Sequence, residues 1–283
     1  MINYLSKNRI LLQYNKIESS LLIIIFILLI FGYVENFRWL FAKWMENPDY
    51  SHGPLIPIIS IFMVFQKRHI LKKLKKQGAN TGLFFILGAI LLRIVGLRGQ
   101  VCFISSYSFI LLIIGIVLFL YGKYILKEVL FPILFLIFMI PFWGIPLAQF
   151  SNILKLLSSK LSFELLSIMG YVIHKEGVIL YLSKGTLEVA DPCSGLRSLI
   201  SLLALGSLIA YYSHGSFVRK SILVFSTIPL AFLANTIRIV FFGIFLEENG
   251  VLISEGFLHT LTGMCVFMFT LLGVISLKKC MKL

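Results

Sequence analysis

Residues that thiol acyl transfer requires occur on separate apolar segments in the C-terminal part of the chain. Cys193 is followed four residues later by Arg197 in the stretch VADPCSGLRSLISLLAL. Arg238 lies in the run IPLAFLANTIRIVFFGIFL, and His259 opens the run FLHTLTGMC. In such chemistry a thiolate attacks a carbonyl, a histidine moves the proton and an arginine stabilises the oxyanion. The conjunction of the three residue types therefore predicts a thiol acyl-transfer site.

The residues around Cys193 favour the start of a helix. Asp191 is a good N-cap and Pro192 suits the first helical position. Cys193 and Ser194 then fall in the first turn, where free N–H groups and the helix dipole favour a thiolate. Arg197 lies one turn further on the same face. The structural alternative is an inert apolar cysteine with an arginine that snorkels to the membrane surface.

Arg238 is the most deeply placed charge of the three candidate positions. It lies eight residues before Leu246, where its apolar run ends, which corresponds to about 12 Å along a helix. A charge at that depth normally faces the interior of a helical bundle and has a polar partner. Asn235, three residues earlier, lies on the same face. The alternative to catalysis is a buried arginine that ties helices together.

His52 lies in a turn-rich segment, WMENPDYSHGPLIP, between the first two apolar runs. Its prolines and its glycine interrupt regular structure. His52 is either a turn histidine satisfied by the local backbone or a residue that supports the site or the substrate. The sequence leaves both interpretations open.

Composition identifies the class of protein. The chain has 283 residues, of which 59% are hydrophobic and 13% charged, and its mean hydropathy is +0.96. An average soluble domain has about 25% charged residues. Apolar runs long enough to cross a bilayer recur throughout and lack the alternation of barrel strands. The sequence therefore predicts an all-α polytopic membrane protein, a single domain over residues 1–283 that contacts membrane lipids.

Two further features limit the partners. The net charge of +14 is typical of the positive-inside bias of membrane proteins, so no nucleic-acid partner is expected. The four cysteines show no CxxC spacing and no nearby ligand cluster. We therefore expect no metal, no cofactor and no disulfide framework.

Hydropathy predicts about eight transmembrane helices. The predicted spans are 19–36, 53–66, 81–97, 101–121, 128–145, 194–213, 221–246 and 257–277. The first follows a basic N-terminus without a small-residue cleavage site, which indicates an uncleaved signal anchor.

The distribution of lysine and arginine predicts the topology. With both termini in the cytoplasm, 16 of the 26 basic residues fall inside, 7 outside and 3 within spans. This agrees with the positive-inside rule. The protein is thus expected in the plasma membrane as a multi-pass protein, N-in and C-in. Cys193, Arg238 and His259 all fall in the outer half of the membrane, so the active site faces outward.

A long outer segment precedes Cys193. Its first part, AQFSNILKLLSSKLSFELLSIMG, has the spacing of an amphipathic helix at the outer interface. Two short β-like runs, VILYL and TLEV, then flank Ser183–Gly185 and predict a hairpin. The hairpin is either a packing element or an edge on which an extended peptide pairs.

Taken together, the motifs resemble the exosortase/archaeosortase family. DPCSGLRSL, LANTIRI and the histidine of the last span carry the resemblance, and EGVILYL, LEVA and DYSHGPLIP agree with it. It extends over about residues 40–270. The pairing of CSGxR with NxxR in successive spans is its specific part. One departure is Pro192, because the family usually has a small residue before the cysteine.

The resemblance implies a membrane cysteine transpeptidase or protease. Cys193 takes the place of the nucleophile, Arg238 that of the arginine and His259 that of the histidine. Such enzymes recognise the C-terminal sorting signal of exported proteins, which has a short motif, one apolar helix and a basic end. They cleave near the motif through an acyl-enzyme, and an amine, a lipid or water is the acceptor. Whether Arg197 or Arg238 serves the oxyanion stays open.

Two other classes of function compete with this interpretation. A transporter would use Arg93, Arg197 and Arg238 along an anion path, but neither repeated spans nor paired broken helices are evident. A non-catalytic assembly factor for envelope polysaccharide is the third class. Replacement of Cys193 by alanine separates them, because acyl transfer needs the thiol and transport does not.

Overall fold

Helices make up most of a computed structural model of the protein. It describes residues 24–25, 27–141, 144–189, 196–251 and 257–283, without the side chains of 48, 144–148, 150, 196–198 and 257–259. The helices are α1 (Val34–Glu46), α2 (Leu55–Gln66), α3 (Arg68–Lys73), α4 (Thr81–Arg98), α5 (Cys102–Tyr121), α6 (Lys123–Phe135), α7 (Gly144–Ile168), α8 (Leu196–Tyr212), α9 (Phe217–Asn249) and α10 (Phe257–Cys280). Strands β1 (Ile173–Glu176), β2 (Ile179–Leu182) and β3 (Gly185–Glu188) lie between α7 and α8.

Four helices in the described part of the chain are long and apolar enough to cross a membrane. They are Thr81–Arg98, Cys102–Tyr121, Phe217–Asn249 and Thr260–Cys280, and they overlap four of the eight predicted spans. Leu55–Gln66 and Leu199–Tyr212 are apolar but shorter. The protein is therefore a helical membrane protein, but the predicted count of eight spans is not confirmed.

Of the remaining predicted spans, 53–66 and 194–213 correspond to the shorter helices α2 and α8, whereas the other two are not seen as continuous helices over their predicted length. Residues 19–23 of the first predicted span lie outside the described residues, whereas 27–32 are helical. The predicted span 128–145 is not one continuous helix: α6 contains Pro132 and gives way to a 3-10 turn over Leu136–Met139. Proline removes a backbone donor and clashes with the preceding turn, so an uninterrupted α-helix there is disfavoured.

The N-terminal helices pack around an apolar core that includes Leu40, Ile56, Ile110 and Met139. A buried polar network crosses the interface between α1 and α5. Asn36 Nδ2 donates to Ser106 Oγ at 3.2 Å, and Ser105 Oγ donates to Asn36 Oδ1 at 3.1 Å. Because each of these polar groups has a hydrogen-bond partner, the network can be buried among apolar side chains at little cost in free energy.

Helices α8, α9 and α10 pack against one another. Arg238 lies on α9, position 259 lies on α10, and α8 follows the Cys193 segment in the chain. One core cluster, with Leu199, Leu202 and Ala231 buried and Leu154 and Phe267 packed around it, joins them to α7. A helix predicted over residues 148–170 is confirmed as most of α7, and its position at the outer interface stays a prediction. Its serines at 151, 158, 159 and 162 are buried together with Leu166, whereas Ile153, Leu156, Leu157 and Ile168 are exposed. The serine-bearing side of α7 therefore packs inside the protein, and part of its apolar surface faces outward.

The predicted hairpin is confirmed, and it belongs to a larger sheet. β2 and β3 pair antiparallel with Leu182 opposite Gly185, so Ser183 and Lys184 form a two-residue loop. The sequence analysis missed β1, which pairs antiparallel with β2 on its other side. β1 has the run IHKE, with a single aliphatic residue, and so gives little hydrophobic signal.

Candidate active site

Arg238 is buried on the inner face of α9. It is 7% exposed and Asn235, one turn earlier, is 2% exposed, so the two residues share the buried face that the sequence predicts. Nε of Arg238 donates a hydrogen bond to Oγ1 of Thr262 at 3.3 Å. The guanidinium carbon lies 5.2 Å from the ring centroid of Phe242. Hydroxyl and aromatic neighbours of this kind stabilise a cation out of water.

Helix α10 contacts Arg238 directly after the position of His259. Thr262 accepts the hydrogen bond, and a Cβ built on Gly263 would lie 3.8 Å from Nη2 of Arg238. Positions three and four residues apart share one face of a helix, so position 259 lies one turn before these contacts. The side chain of His259 lies outside the described residues. The backbone of His259 therefore lies about one helical turn from the part of α10 that contacts Arg238.

The sheet packs against the same part of α9 that carries Arg238. Leu180, Leu187 and Val189 form a buried cluster with Phe242 and Leu246. Phe242 thus contacts the sheet cluster and also lies against the guanidinium of Arg238. The ring links the position of the sheet to that of the arginine.

The Cys193 segment lies between β3 and α8. Val189 is buried against the sheet, and α8 starts at Leu196. Cys193 and Ser194 lie outside the described residues, as does the side chain of Arg197. The described parts that flank Cys193 both reach the Arg238 region, because β3 packs on α9 and α8 packs on α9 and α10.

His52 contacts α8 near its start. Nδ1 of His52 lies 3.1 Å from Oγ of Ser201, a residue 149 positions later in the chain. Ser201 is one helical turn after Arg197 and on the same face of α8. The 3-10 turn Pro48–Tyr50 also packs against α8. The structure therefore excludes a histidine satisfied only by its own turn and brings His52 to the helix that follows the candidate nucleophile.

The His52 turn is held by tryptophan packing. Nε1 of Trp44 donates to the carbonyl of Met139 at 2.8 Å. A Cβ on Gly53 would lie 2.2 Å from that same indole nitrogen, so only glycine fits beneath the ring.

Burial lowers the pKa of His52, against weaker opposing effects of the Phe138 carbonyl and Asp49. His52 is thus a neutral imidazole near pH 7, fixed in place by its neighbours.

A groove between α9 and α10 opens beside Arg238. It encloses about 400 Å³ and is lined by Arg238 and Thr262 together with apolar residues of both helices. Ile237 and Phe269 on its walls are 57% and 60% exposed. The groove therefore connects the buried guanidinium with the outer, apolar surface of the helices. Within the ranges that the structure describes, no three His, Cys, Asp or Glu side chains come together as a metal site.

Three contact residues of the site were not anticipated from the sequence. Thr262 lies three residues after His259 and therefore on the same face of its helix, so its hydroxyl could have been predicted as a hydrogen-bond partner for a buried arginine. Ser201 lies four residues after Arg197, so it shares a helix face with that residue in the same way. Phe242 gives no such signal, because its run contains several equivalent aromatic residues.

Comparison with models of known protein families identifies a family for most of the chain. Residues 44–276 match the family of transmembrane exosortases (Exosortase_EpsH). The match covers α9, with Arg238, and the described sheet and helices that surround it. The chain therefore belongs to the transmembrane exosortase family. Searches of curated proteins and of solved structures found no match to the chain.

Proposed function

We propose that the protein is a membrane-embedded cysteine transpeptidase or protease that cleaves the C-terminal sorting tail of exported proteins. Membership of the exosortase family supports a transpeptidase. The observation that carries the proposal is the buried guanidinium of Arg238, which Thr262 holds beside the helix turn of His259. A buried and oriented cation of this kind can stabilise an oxyanion without reorganisation.

The proposed reaction begins with the thiolate of Cys193. Its sulfur attacks the carbonyl carbon of the scissile peptide bond, and the carbonyl oxygen becomes an oxyanion next to Arg238. His259 gives its proton to the leaving nitrogen as the C–N bond breaks, which leaves a thioester on Cys193. An incoming amine, lipid hydroxyl or water then loses a proton to His259 and attacks the thioester. The products are the transferred chain and the regenerated thiolate.

The proposed substrate combines a short motif with an apolar helix and a basic cytoplasmic end. The groove between α9 and α10 supports lateral docking of such a helix, because its walls are apolar and exposed and Arg238 lies on its floor. A soluble peptide that carries the motif alone should then be a poor substrate. Equal turnover of the soluble peptide and the tail-bearing protein would argue against lateral docking.

The proposed topology places both chain termini in the cytoplasm and the active site at the outer face of the plasma membrane. Reporter fusions at Gly78 and Gly215 should then report the cytoplasm, and fusions near Gly177 should report the outside. A cytoplasmic signal near Gly177 would put the sheet and the Cys193 segment on the wrong side for exported substrates.

The experiment that tests the proposed function compares cysteine variants. Cells that express Cys193→Ala should accumulate unprocessed tail-bearing precursors in the membrane, whereas Cys265→Ala should process them normally. Cys265 is a matched control because it is another cysteine, on the wall of the Arg238 groove, and its replacement by alanine keeps that wall apolar while it removes the thiol. Equal processing by Cys193→Ala and wild type at matched protein levels would refute the proposal and favour a transporter or an assembly factor.

A further inference from the structure

Strand β3 ends shortly before the candidate nucleophile and has an unpaired edge. The sheet order is β1-β2-β3, so β3 has a strand neighbour on one side only among the described residues. Its last residue, Glu188, precedes Cys193 by five positions. Five residues span at most about 18 Å of extended chain. A ligand on this edge is thus within reach of the nucleophile segment.

The register shows which backbone groups face that edge. N of Val189 donates to the carbonyl of Val178 at 3.0 Å, which makes these two residues a hydrogen-bonded pair. Bonded and non-bonded pairs alternate in an antiparallel ladder. In the observed register, Leu187 and Gly185 then also bond to β2. The N–H and C=O groups of Thr186 and Glu188 therefore point away from β2.

The open edge is accessible, and the sheet beneath it is firmly held. Thr186 and Glu188 are exposed, and their backbone groups have no partner on that edge within the described ranges. On the face of β3 that packs on α9, Leu187 is buried and Gly185 lies against Leu246. The edge is thus a fixed row of donors and acceptors that requires no rearrangement before it binds.

We infer that β3 binds the substrate's extended segment at the cleavage motif as a fourth strand. This inference rests on the proposed function. Thr186 and Glu188 are two residues apart and offer donor and acceptor pairs about 7 Å apart, which is the repeat of an extended peptide. Strand addition of this kind supplies affinity through the main chain and tolerates varied side chains.

The first test removes one edge donor without altering the opposite edge. Thr186→Pro deletes the outward N–H group of β3, and proline is tolerated at the outward positions of edge strands. We expect processing of the tail-bearing protein to slow about 3- to 10-fold, the effect of one lost hydrogen bond. Thr186→Val keeps the N–H group and should process at the wild-type rate. Lys175→Pro is the matched control, because the register directs its N–H group to the outer edge of β1.

A second test does not depend on how well the proline variant folds. Glu188→Cys, in the otherwise wild-type chain, should form disulfides with cysteines placed one at a time along the substrate upstream of its cleavage site when copper phenanthroline is added as the oxidant. Strand pairing predicts cross-linking at alternate substrate positions, because side chains alternate between the two faces of a strand. Uniform cross-linking, or disulfide-linked dimers of the enzyme in place of substrate adducts, would overturn the inference.

The outcomes separate this inference from the proposed function. Processing that is equal in wild type and Cys193→Ala contradicts the proposed function itself. Cys193-dependent processing with equal rates for wild type, Thr186→Pro and Lys175→Pro contradicts only the strand pairing.

Discussion

Arg238 on α9 and Thr262 on α10 are joined by a hydrogen bond of 3.3 Å from Nε to Oγ1. This contact fixes the guanidinium beside the helix turn that begins with His259. The two terminal nitrogens of the guanidinium lie near Gly263, where a Cβ would lie 3.8 Å from Nη2 and 4.0 Å from Nη1. The fixed geometry of the arginine is the structural basis for the predictions on catalysis.

Arg238→Lys should lower the processing rate by on the order of 10²-fold or more, as removal of an oxyanion donor does in other enzymes. Lysine lacks the planar fork of arginine and cannot reproduce its fixed donors. The measurement is the ratio of processed protein to precursor against time at matched expression. Arg93→Lys is the control, because Arg93 bonds to Asn36 at 3.2 Å in the α1–α5 network. A near-normal rate for Arg238→Lys would move Arg238 to a structural role and favour Arg197 for the oxyanion.

Thr262→Val should slow processing about tenfold, the effect expected when a charged group loses one hydrogen bond. Valine keeps the shape of threonine but leaves Nε of Arg238 without this acceptor. Thr270→Val on the same helix is the control, since the Thr270 hydroxyl donates to the Val266 carbonyl of its own helix at 2.8 Å. If both variants process alike, the Thr262 contact does not position the arginine.

His52 should make the stability of the folded protein depend on pH. Burial lowers its pKa below the ordinary value of 6.5, so the unfolded chain binds the proton more readily than the folded chain. The associated stability is complete above pH 6.5 and is lost as the pH falls towards the lowered pKa. Thermal unfolding in detergent should therefore show a smaller drop between pH 7.5 and pH 5 for His52→Gln than for wild type. Parallel pH curves for the two proteins would contradict a buried neutral imidazole.

Much of this arrangement follows from the sequence because polar groups in apolar runs are costly. Arg238 and Asn235 were expected on one buried face of a helix, and both are buried. The hairpin over VILYL and TLEV was expected from its β-branched runs and its short loop, and its register is observed. Each of these features depends on residues that are close together in the chain.

The contacts that could not be predicted from the sequence join segments that are far apart in the chain. His52 meets Ser201 across 149 residues, and nothing in either local pattern specifies that pairing. β1 was missed because its polar residues give it no hydrophobic alternation, and its partner β2 determines its conformation. The break in the predicted span 128–145 was missed because hydropathy does not report the change from α-helix to 3-10 turn after Pro132. The roles of all the proposed site residues stay predictions, namely those of Cys193, Ser194, Arg197, Asn235, Arg238, His259 and His52.

Gly53→Ala should destabilise the protein by about 1–3 kcal/mol, the usual cost of overpacking a tight contact. Its Cβ would lie 2.2 Å from Nε1 of Trp44, so the indole must move and its bond to the Met139 carbonyl is lost. The midpoint of thermal unfolding measures the effect. Gly88→Ala is the control, since a Cβ there meets only Leu111 at an ordinary 3.7 Å. Equal midpoints for the two variants would show that the His52 turn is not held by Trp44.

The central claim is that Cys193 forms a thioester with the substrate, and intact mass measurement tests it most directly. The enzyme is purified from cells that co-express a tail-bearing protein, after a rapid acid quench, and is analysed with and without neutral hydroxylamine. We predict an adduct of the mass of the cleaved exported chain on the peptide that contains Cys193, removed by hydroxylamine and missing from Cys193→Ala. An adduct on Cys265 instead, or processing by the wild type with no thioester at any cysteine, would contradict it.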